Sequence, residues 1–319
     1  MQLTCSIVIR CFNEERHIGR LLSGILRQTV QPKEIIVVDS GSTDRTLEIA
    51  RRFPVKVVNI TPEEFSFGRS LNRGCREATG DILVFASAHT YSVYSDWLER
   101  LIEPFQDSAV ALVYGKQRGG DVTRYAEHQV FKSWFPDEPN GNQVHAFCNN
   151  ANAAIRRSVW TRIPYDESLT GLEDIGWAKQ ALNLGYRIVY EPEAEIVHLH
   201  EESPAQIFNR YRREAIAMKT IYPAMRFTFW NFLRLWWANV ISDWRCAFQE
   251  GKVFRVLFGV LSFRFLQFWG TYRGDAQYGP VTHRLRMHLY YPSSTAAGAP
   301  QRSRRDAPFV DYGTEERFG

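Results

Sequence analysis

No two of the five cysteines, Cys5, Cys11, Cys75, Cys148 and Cys246, form a Cys-x-x-Cys pair, and their spacing gives no secreted disulfide framework. A reducing compartment is therefore expected. No run of about 18 uninterrupted apolar residues occurs, so no segment clearly spans a membrane. No signal peptide is read at Met1-Gln2-Leu3-Thr4, which leads directly into a strand pattern. Neither sign of charge dominates: 39 basic against 35 acidic residues leave +4, too mild to imply nucleic acid. The chain has no internal repeat and no Walker lysine motif. Its first strand-to-helix turn, Ile9-Arg10-Cys11-Phe12-Asn13-Glu14-Glu15, lacks the Gly-x-Gly-x-x-Gly that lets backbone approach a pyrophosphate. NAD-binding and P-loop sites are disfavoured.

What remains is an ordinary globular composition, 45% hydrophobic and 23% charged, in a chain of 319 residues that can bury a large core. Strand patterns fall at Cys5–Arg10, Glu34–Asp39, Val55–Ile60, Asp81–Ala86 and Val110–Tyr114. Helical patterns lie between them near Ile18–Arg27, Thr43–Phe53, Arg69–Ala78 and Trp97–Phe105. This alternation predicts βαβ units, a mainly parallel sheet and an α/β fold. From Tyr125 to Asn150 a polar, Pro/Gly-bearing stretch reads as a long functional loop. Strands near Asn152–Arg156, Arg187–Tyr190 and Ile196–His198, with a helix at Ile175–Leu184, complete the globular part, residues 1–203.

Beyond Pro204 the character changes. Helical patterns at Ala205–Thr220, Phe227–Gln249 and Val253–Tyr272 interleave tryptophans with arginines across a region spanning residues 204–292. Residues 293–319, rich in Ser, Ala, Pro and Arg, read as a disordered tail.

Two acidic clusters carry the functional signal, each where a strand pattern ends or a helix begins. The first is Val37-Val38-Asp39-Ser40-Gly41-Ser42-Thr43-Asp44, the second Leu172-Glu173-Asp174. Each aspartate alone could simply cap a turn or a helix. In an α/β sheet, however, ligands sit at the carboxyl ends of strands. With Phe12-Asn13-Glu14-Glu15, Gly68-Arg69-Ser70-Leu71-Asn72-Arg73-Gly74 and the run from Cys148 to Arg157, the chain resembles an inverting family 2 glycosyltransferase of the GT-A fold, especially its rhamnosyltransferase-like members. The resemblance runs from about Ser6 to His200 and more weakly to about Gly274.

The resemblance implies a nucleotide-sugar donor bound by Phe12, Asn13, Glu14, Asp39, Ser42, Arg69, Asn72, Ser87, Ala88 and His89, with Asp39 reading the base. It implies an acceptor near Asn149, Asn150, Asn152 and Trp177. Asp174 would deprotonate the acceptor hydroxyl, and Glu173 would orient acceptor or base.

One departure stands out. Where such enzymes carry Asp-x-Asp to hold Mg²⁺ or Mn²⁺, this chain reads Ser87-Ala88-His89. His89, together with His198 and His200 after the last strand, is therefore expected to hold a divalent metal, Mn²⁺ suiting imidazole better than Mg²⁺. The competing expectation is a metal-free site in which Arg69 or Arg73 balances the diphosphate. The Trp/Arg helices either pack inward as a lid or meet a membrane surface, and the second is expected.

The combined expectation is a cytoplasmic glycosyltransferase, peripheral at the inner face of the membrane. It would move a sugar onto a glycan or lipid-linked acceptor in surface or capsular polysaccharide synthesis. Two rivals are a nucleotidyltransferase, whose Gly-rich basic first turn is absent, and a catalytically inactive nucleotide-sugar-binding subunit, which the retained Glu173-Asp174 argues against.

Overall fold

The computed structural model describes residues 3–279 and 281–290. The expected tail at 293–319 lies outside the described residues. In chain order the elements are β1 (Cys5–Cys11), α1 (Ile18–Leu26), β2 (Glu34–Asp39), α2 (Thr46–Ala50), β3 (Val55–Asn59), α3 (Phe67–Glu77), β4 (Ile82–Ser87), β5 (Thr90–Ser92) and α4 (Trp97–Ile102). There follow β6 (Val110–Arg118), α5 (Tyr125–Trp134), β7 (Asn140–Gln143), β8 (Asn152–Arg156), α6 (Arg157–Arg162), α7 (Glu173–Asn183) and β9 (Arg187–His198). The chain continues as α8 (Pro204–Ile221), α9 (Phe229–Gln249), α10 (Val253–Asp275) and α11 (His283–Tyr290).

One nine-stranded sheet runs in the order β3-β2-β1-β4-β8-β6-β9-β5, with β7 paired to β9. β1, β2, β3 and β4 are mutually parallel, and β8 enters antiparallel between β4 and β6. The near-continuous apolar run Ile35–Val38 in β2 reflects burial on both faces, as expected of a parallel strand covered by helices. Side chains such as Ile7, Ile9, Leu22 and Trp97 fill one face of the sheet; Val8, Leu71, Phe85 and Trp177 fill the other. Helix α3 packs so tightly on the sheet that a Cβ at Gly74 would lie 2.3 Å from Val8 Cγ1. Only glycine fits there.

Several expectations are corrected. The stretch from Tyr125 to Asn150 is not one long loop. It contains α5 and β7, and α5 buries Ala126, Val130 and Phe131. The two short strands expected at Arg187–Tyr190 and Ile196–His198 are one twelve-residue strand, β9. The brief β5 was not anticipated, since three residues carry no periodic signal. Helix α8 opens with a full capping box between Ser203 and Gln206 and with Pro204 at its first position. A third apolar cluster joins α5 to α8, α9 and α10 through Val130, Ile207, Tyr211, Val240 and Phe263.

Candidate active site

β1, β2 and β4 end side by side: Cys11 pairs with Asp39, and Arg10 with Ser87. The two turns that follow β1 and β2 are fastened together. Asn13, held at φ +55°, donates its N–H to Ser42 Oγ at 2.9 Å and accepts from Thr43 N–H at 2.8 Å. Asp39 is 2% exposed, and its carboxylate accepts from the Gly41 and Ser42 N–H groups, both at 3.0 Å, and from the Ser42 hydroxyl. This buried carboxylate is the frame of the turn. Phe12 and Glu14 stand half-buried beside it.

Behind this edge three imidazoles converge. β5 pairs antiparallel with the end of β9, setting Thr90 opposite His198 and so bringing His89 alongside. The His89 and His198 rings stack with centroids 5.0 Å apart. His89 Nδ1 meets Glu14 Oε1 at 2.7 Å, His198 Nδ1 meets Gln117 Oε1 at 2.8 Å, and His200 Nδ1 meets Glu127 Oε1 at 2.7 Å. Each partner is an acceptor oxygen, which assigns the proton to Nδ1 and leaves Nε2 as the lone-pair atom. Arg210 also comes within 3.1 Å of His200 Nδ1, but a guanidinium can only donate. It acts instead through Glu127, at 2.8 Å. Burial pushes the His198 and His200 imidazoles well below the ordinary histidine range, with His200's and Arg210's charge respectively adding to it. Burial opposes the charged form of His89 too, but Glu14 outweighs it and raises that imidazole.

Nitrogens of His89, His198 and His200 all lie within 4.8 Å of one another. Imidazoles whose Nδ1 sides are held by second-layer oxygens are the usual dress of a metal ligand, so the donor set fits a divalent transition ion. Ser87 Oγ lies 3.4 Å from His89 Nε2, whereas Ala88 is fully buried and offers no ligand atom.

The second acidic cluster opens α7. Leu172, just before it, sits at φ +55°, a left-handed conformation rare for a branched residue. This turn brings Glu173 to Arg10 Nη1 at 3.1 Å, with side chains 5% and 19% exposed. Asp174 accepts from Asn150 N–H at 3.1 Å and Ile175 N–H at 2.8 Å. Burial, reinforced by the charge of Glu173, raises the Asp174 carboxyl to about 7. A carboxylate tuned there is suited to take a proton near neutrality.

Asp174 and Asn149 line a cleft of about 840 Å³, walled by Tyr114, Trp134, Phe147, Tyr190, Tyr211 and Phe268. Asn150 is 3% exposed and works as a brace, its N–H on Asp174 and its amide 3.5 Å from Glu173. Three expected contacts, those of Trp177, Asn152 and Asn72, are corrected. The Trp177 indole is core and donates to the Ile163 carbonyl at 2.6 Å. The Asn152 amide is taken up by Trp97, Lys116 and Ala194. The Asn72 amide is taken up by Trp160, Tyr165 and Glu167. Arg69 is tied to Glu167 at 2.8 Å and to the Glu64 carbonyl at 3.0 Å. Arg10, Gln117, Glu127 and Arg210 were missed, because what marks them is contact across the fold rather than any local motif.

The sheet that carries the Asp39 turn, the buried Asp174 carboxylate and the cleft beside it has the GT-A fold. Residues 6–163 match the profile described as Glycosyl transferase family 2, and this part of the chain belongs to that family. It is similar to two O-antigen chain rhamnosyltransferases. With WbaN of Salmonella anatum it shares 32% identity over 197 residues, 58% of this chain and 62% of that one. With RfbN of Salmonella typhimurium LT2 it shares 27% over 219 residues, 65% and 69% respectively. The match therefore spans less than two thirds of the first relative. In three dimensions it resembles the mannosyltransferase PcManGT from Pyrobaculum calidifontis, solved with GDP-Man and Mn²⁺. The TM-score is 0.55 at 18% identity, covering 92% of this chain and 88% of that one, a likeness of fold.

Proposed function

We propose that the protein transfers a glycosyl residue, with inversion, from a nucleotide-sugar donor to a glycan or lipid-linked acceptor in surface polysaccharide synthesis. The observation that carries this is Asp174, a carboxylate that lines the cleft, is held by the Asn150 and Ile175 N–H groups, and has its carboxyl raised by burial and by Glu173. The similarity to the two O-antigen rhamnosyltransferases supports the polysaccharide setting.

On this reading Phe12, Asn13, Glu14 and the turn framed by Asp39 and Ser42 receive the nucleotide. Asp174 takes the proton from an acceptor hydroxyl. The acceptor oxygen bonds to the anomeric carbon from the side opposite the diphosphate, and the carbon–oxygen bond to the diphosphate breaks with its electron pair. Glu173 is clamped by Arg10 beside Asp174 and adds to the burial that raises the Asp174 carboxyl. His89, His198 and His200 are the residues that would hold a divalent cation, whose chemistry there is to offset charge developing on the diphosphate. The Mn²⁺ and GDP-Man in the Pyrobaculum relative support that assignment.

A peripheral stand at the inner membrane face is supported by α9. Trp230, Arg234, Trp237, Ile241, Arg245 and Phe248 are all exposed and fall along one stripe of the helix. On α10, Phe254 and Phe258 are 94% and 79% exposed. Helix α10 is long and apolar enough to cross a membrane, but Arg264 in its middle is buried in a bidentate pair with Asp243 of α9. An amphipathic face lying on lipid fits this better than a crossing.

The test is incubation with a panel of nucleotide sugars, following release of nucleoside diphosphate and the anomeric configuration of product by NMR. Retention of configuration, or no turnover of any nucleotide sugar, would overturn the reading.

A further inference from the structure

The cleft that receives Asp174 has a far wall built from α8 and α10, both C-terminal to the residues that match the family profile. Two polar side chains on that wall are incompletely used. Glu214, on α8, lines the cleft but makes no hydrogen bond or ion pair with any described residue. The arginines beside it are directed elsewhere: Arg210 to Glu127 and Glu202, and Arg213 onto the ring of Phe67, 4.4 Å from its centroid. Burial lifts the Glu214 carboxyl above its ordinary range, with Arg210 and Arg213 pulling the other way. Gln267, on α10, is 6% exposed and lines the same cleft. Its Oε1 accepts from Arg264 Nη1 at 2.9 Å, which fixes the amide orientation. The amide nitrogen is left with no partner among the described residues.

The amide nitrogen keeps access to solvent, so Gln267 holds a donor of fixed orientation ready for a ligand that displaces its water. The pair offers one strong acceptor and one donor across a cleft otherwise walled by aromatic rings. That combination suits a ring with polar hydroxyls on its edge and C–H groups on its face. It would not suit a lipid chain, which would leave both polar groups stranded.

We propose that Glu214 and Gln267 are the residues that recognise the acceptor sugar: Glu214 accepts from one ring hydroxyl, Gln267 donates to a hydroxyl or the ring oxygen, and aromatic side chains of the cleft cover the sugar's face. The inference rests on the glycosyltransferase reading above and assigns its acceptor selectivity to the C-terminal helices. Both are positioning residues and make no bond to the reacting atoms.

Methyl glycosides of rhamnose, mannose, galactose and glucose, with their monodeoxy analogues, are the probes. Saturation-transfer difference NMR reads ring-proton contact without turnover. At least one glycoside is expected to show it with wild-type protein, and the signal should be lost in Glu214→Ala and Gln267→Ala. Where a glycoside is also a substrate, its KM should rise about tenfold or more, the scale set by leaving a site's hydrogen-bonding group unpaired. Donor KM and nucleoside diphosphate affinity by calorimetry should not move. Glu214→Gln preserves size and one acceptor oxygen, so it should weaken binding less; it is the variant to judge if Glu214→Ala does not fold. A monodeoxy sugar that binds the wild type weakly should lose nothing further in Glu214→Ala. Ring contact unchanged in both alanine variants, or no ring contact from any glycoside, overturns the proposal. Absence of any nucleotide or nucleotide-sugar binding would instead overturn the glycosyltransferase reading beneath it.

Discussion

His198 and His200 hold their Nε2 atoms 3.0 Å apart. Each ring donates its Nδ1 proton to an oxygen, Gln117 for one and Glu127 for the other, so two lone pairs face each other. Lone pairs at that separation repel unless a cation lies between or beside them. Two nitrogens each about 2.0–2.1 Å from a shared ion fall near this spacing.

Mn²⁺ should therefore raise the melting temperature and broaden the ring resonances of His198 and His200, more effectively than Mg²⁺ because imidazole prefers the later ion. His198→Ala should lose both effects. Transfer that persists in excess EDTA, with no Mn²⁺ effect on melting, would refute the assignment and leave His89, paired with Glu14, as the group facing the diphosphate.

Asp174→Asn should lower turnover on the order of a hundredfold or more while nucleotide affinity holds, the scale of losing a general base. The wild-type rate should rise with pH through about 7, since the base works only when ionised. Stability moves the other way. The carboxyl's pKa is raised on folding, so its contribution is complete below the unfolded value of about 3.9 and is lost as pH climbs through about 7. Asp174→Asn should thus gain melting temperature over wild type at pH 8 and little or none at pH 4. Equal differences at both pH values would show that Asp174 is not held protonated by its surroundings.

Asp39→Ala should impair folding as well as nucleotide binding. The carboxylate organises the Gly41–Ser42 turn through two N–H groups and a hydroxyl. Orphaning these half-buried donors costs up to about 1–3 kcal/mol, enough to be seen in a melt. A variant with wild-type melting and lost nucleotide affinity would mean that the side chain serves the ligand alone.

Co-sedimentation with anionic liposomes should fall in a Trp230→Ser/Trp237→Ser/Arg234→Glu/Arg245→Glu variant and should fall for wild type as salt rises. Neutral liposomes should bind less. Substitution is a cleaner probe than cutting the chain after Met218, because α9 and α10 also cover Val130 and Ile207. Wild-type protein that never co-sediments would return the two helices to the lid reading.

The alternation of strands and helices in the first half was legible because each element is amphipathic or uniformly apolar over its own length. The Glu34–Asp39 and Asn152–Arg156 strands lie at their expected bounds. Helix α5 was hidden by the Pro/Gly-bearing stretch that follows it, and with it went Glu127, the partner of His200. The roles of Asn72, Asn152 and Trp177 were misread for a single reason. A polar or aromatic residue near a motif can turn either way, and only packing decides; all three turn inward. Of the nine tryptophans, Trp230 and Trp237 face out while Trp236 and Trp244 pack in the α8–α10 core, a division that composition alone does not make.

Helix α5 presents Glu127 to His200 on one side and Ala126 and Val130 to the C-terminal helices on the other. For protein engineering this makes α5 a shared part. A chimaera that grafts the C-terminal helices of another transferase onto this sheet, hoping to change the acceptor, has to bring its own α5, and then the carboxylate behind His200 is exchanged as well. If the two proposals hold, acceptor choice and metal site are inherited together, and relatives should be expected to vary in both at once.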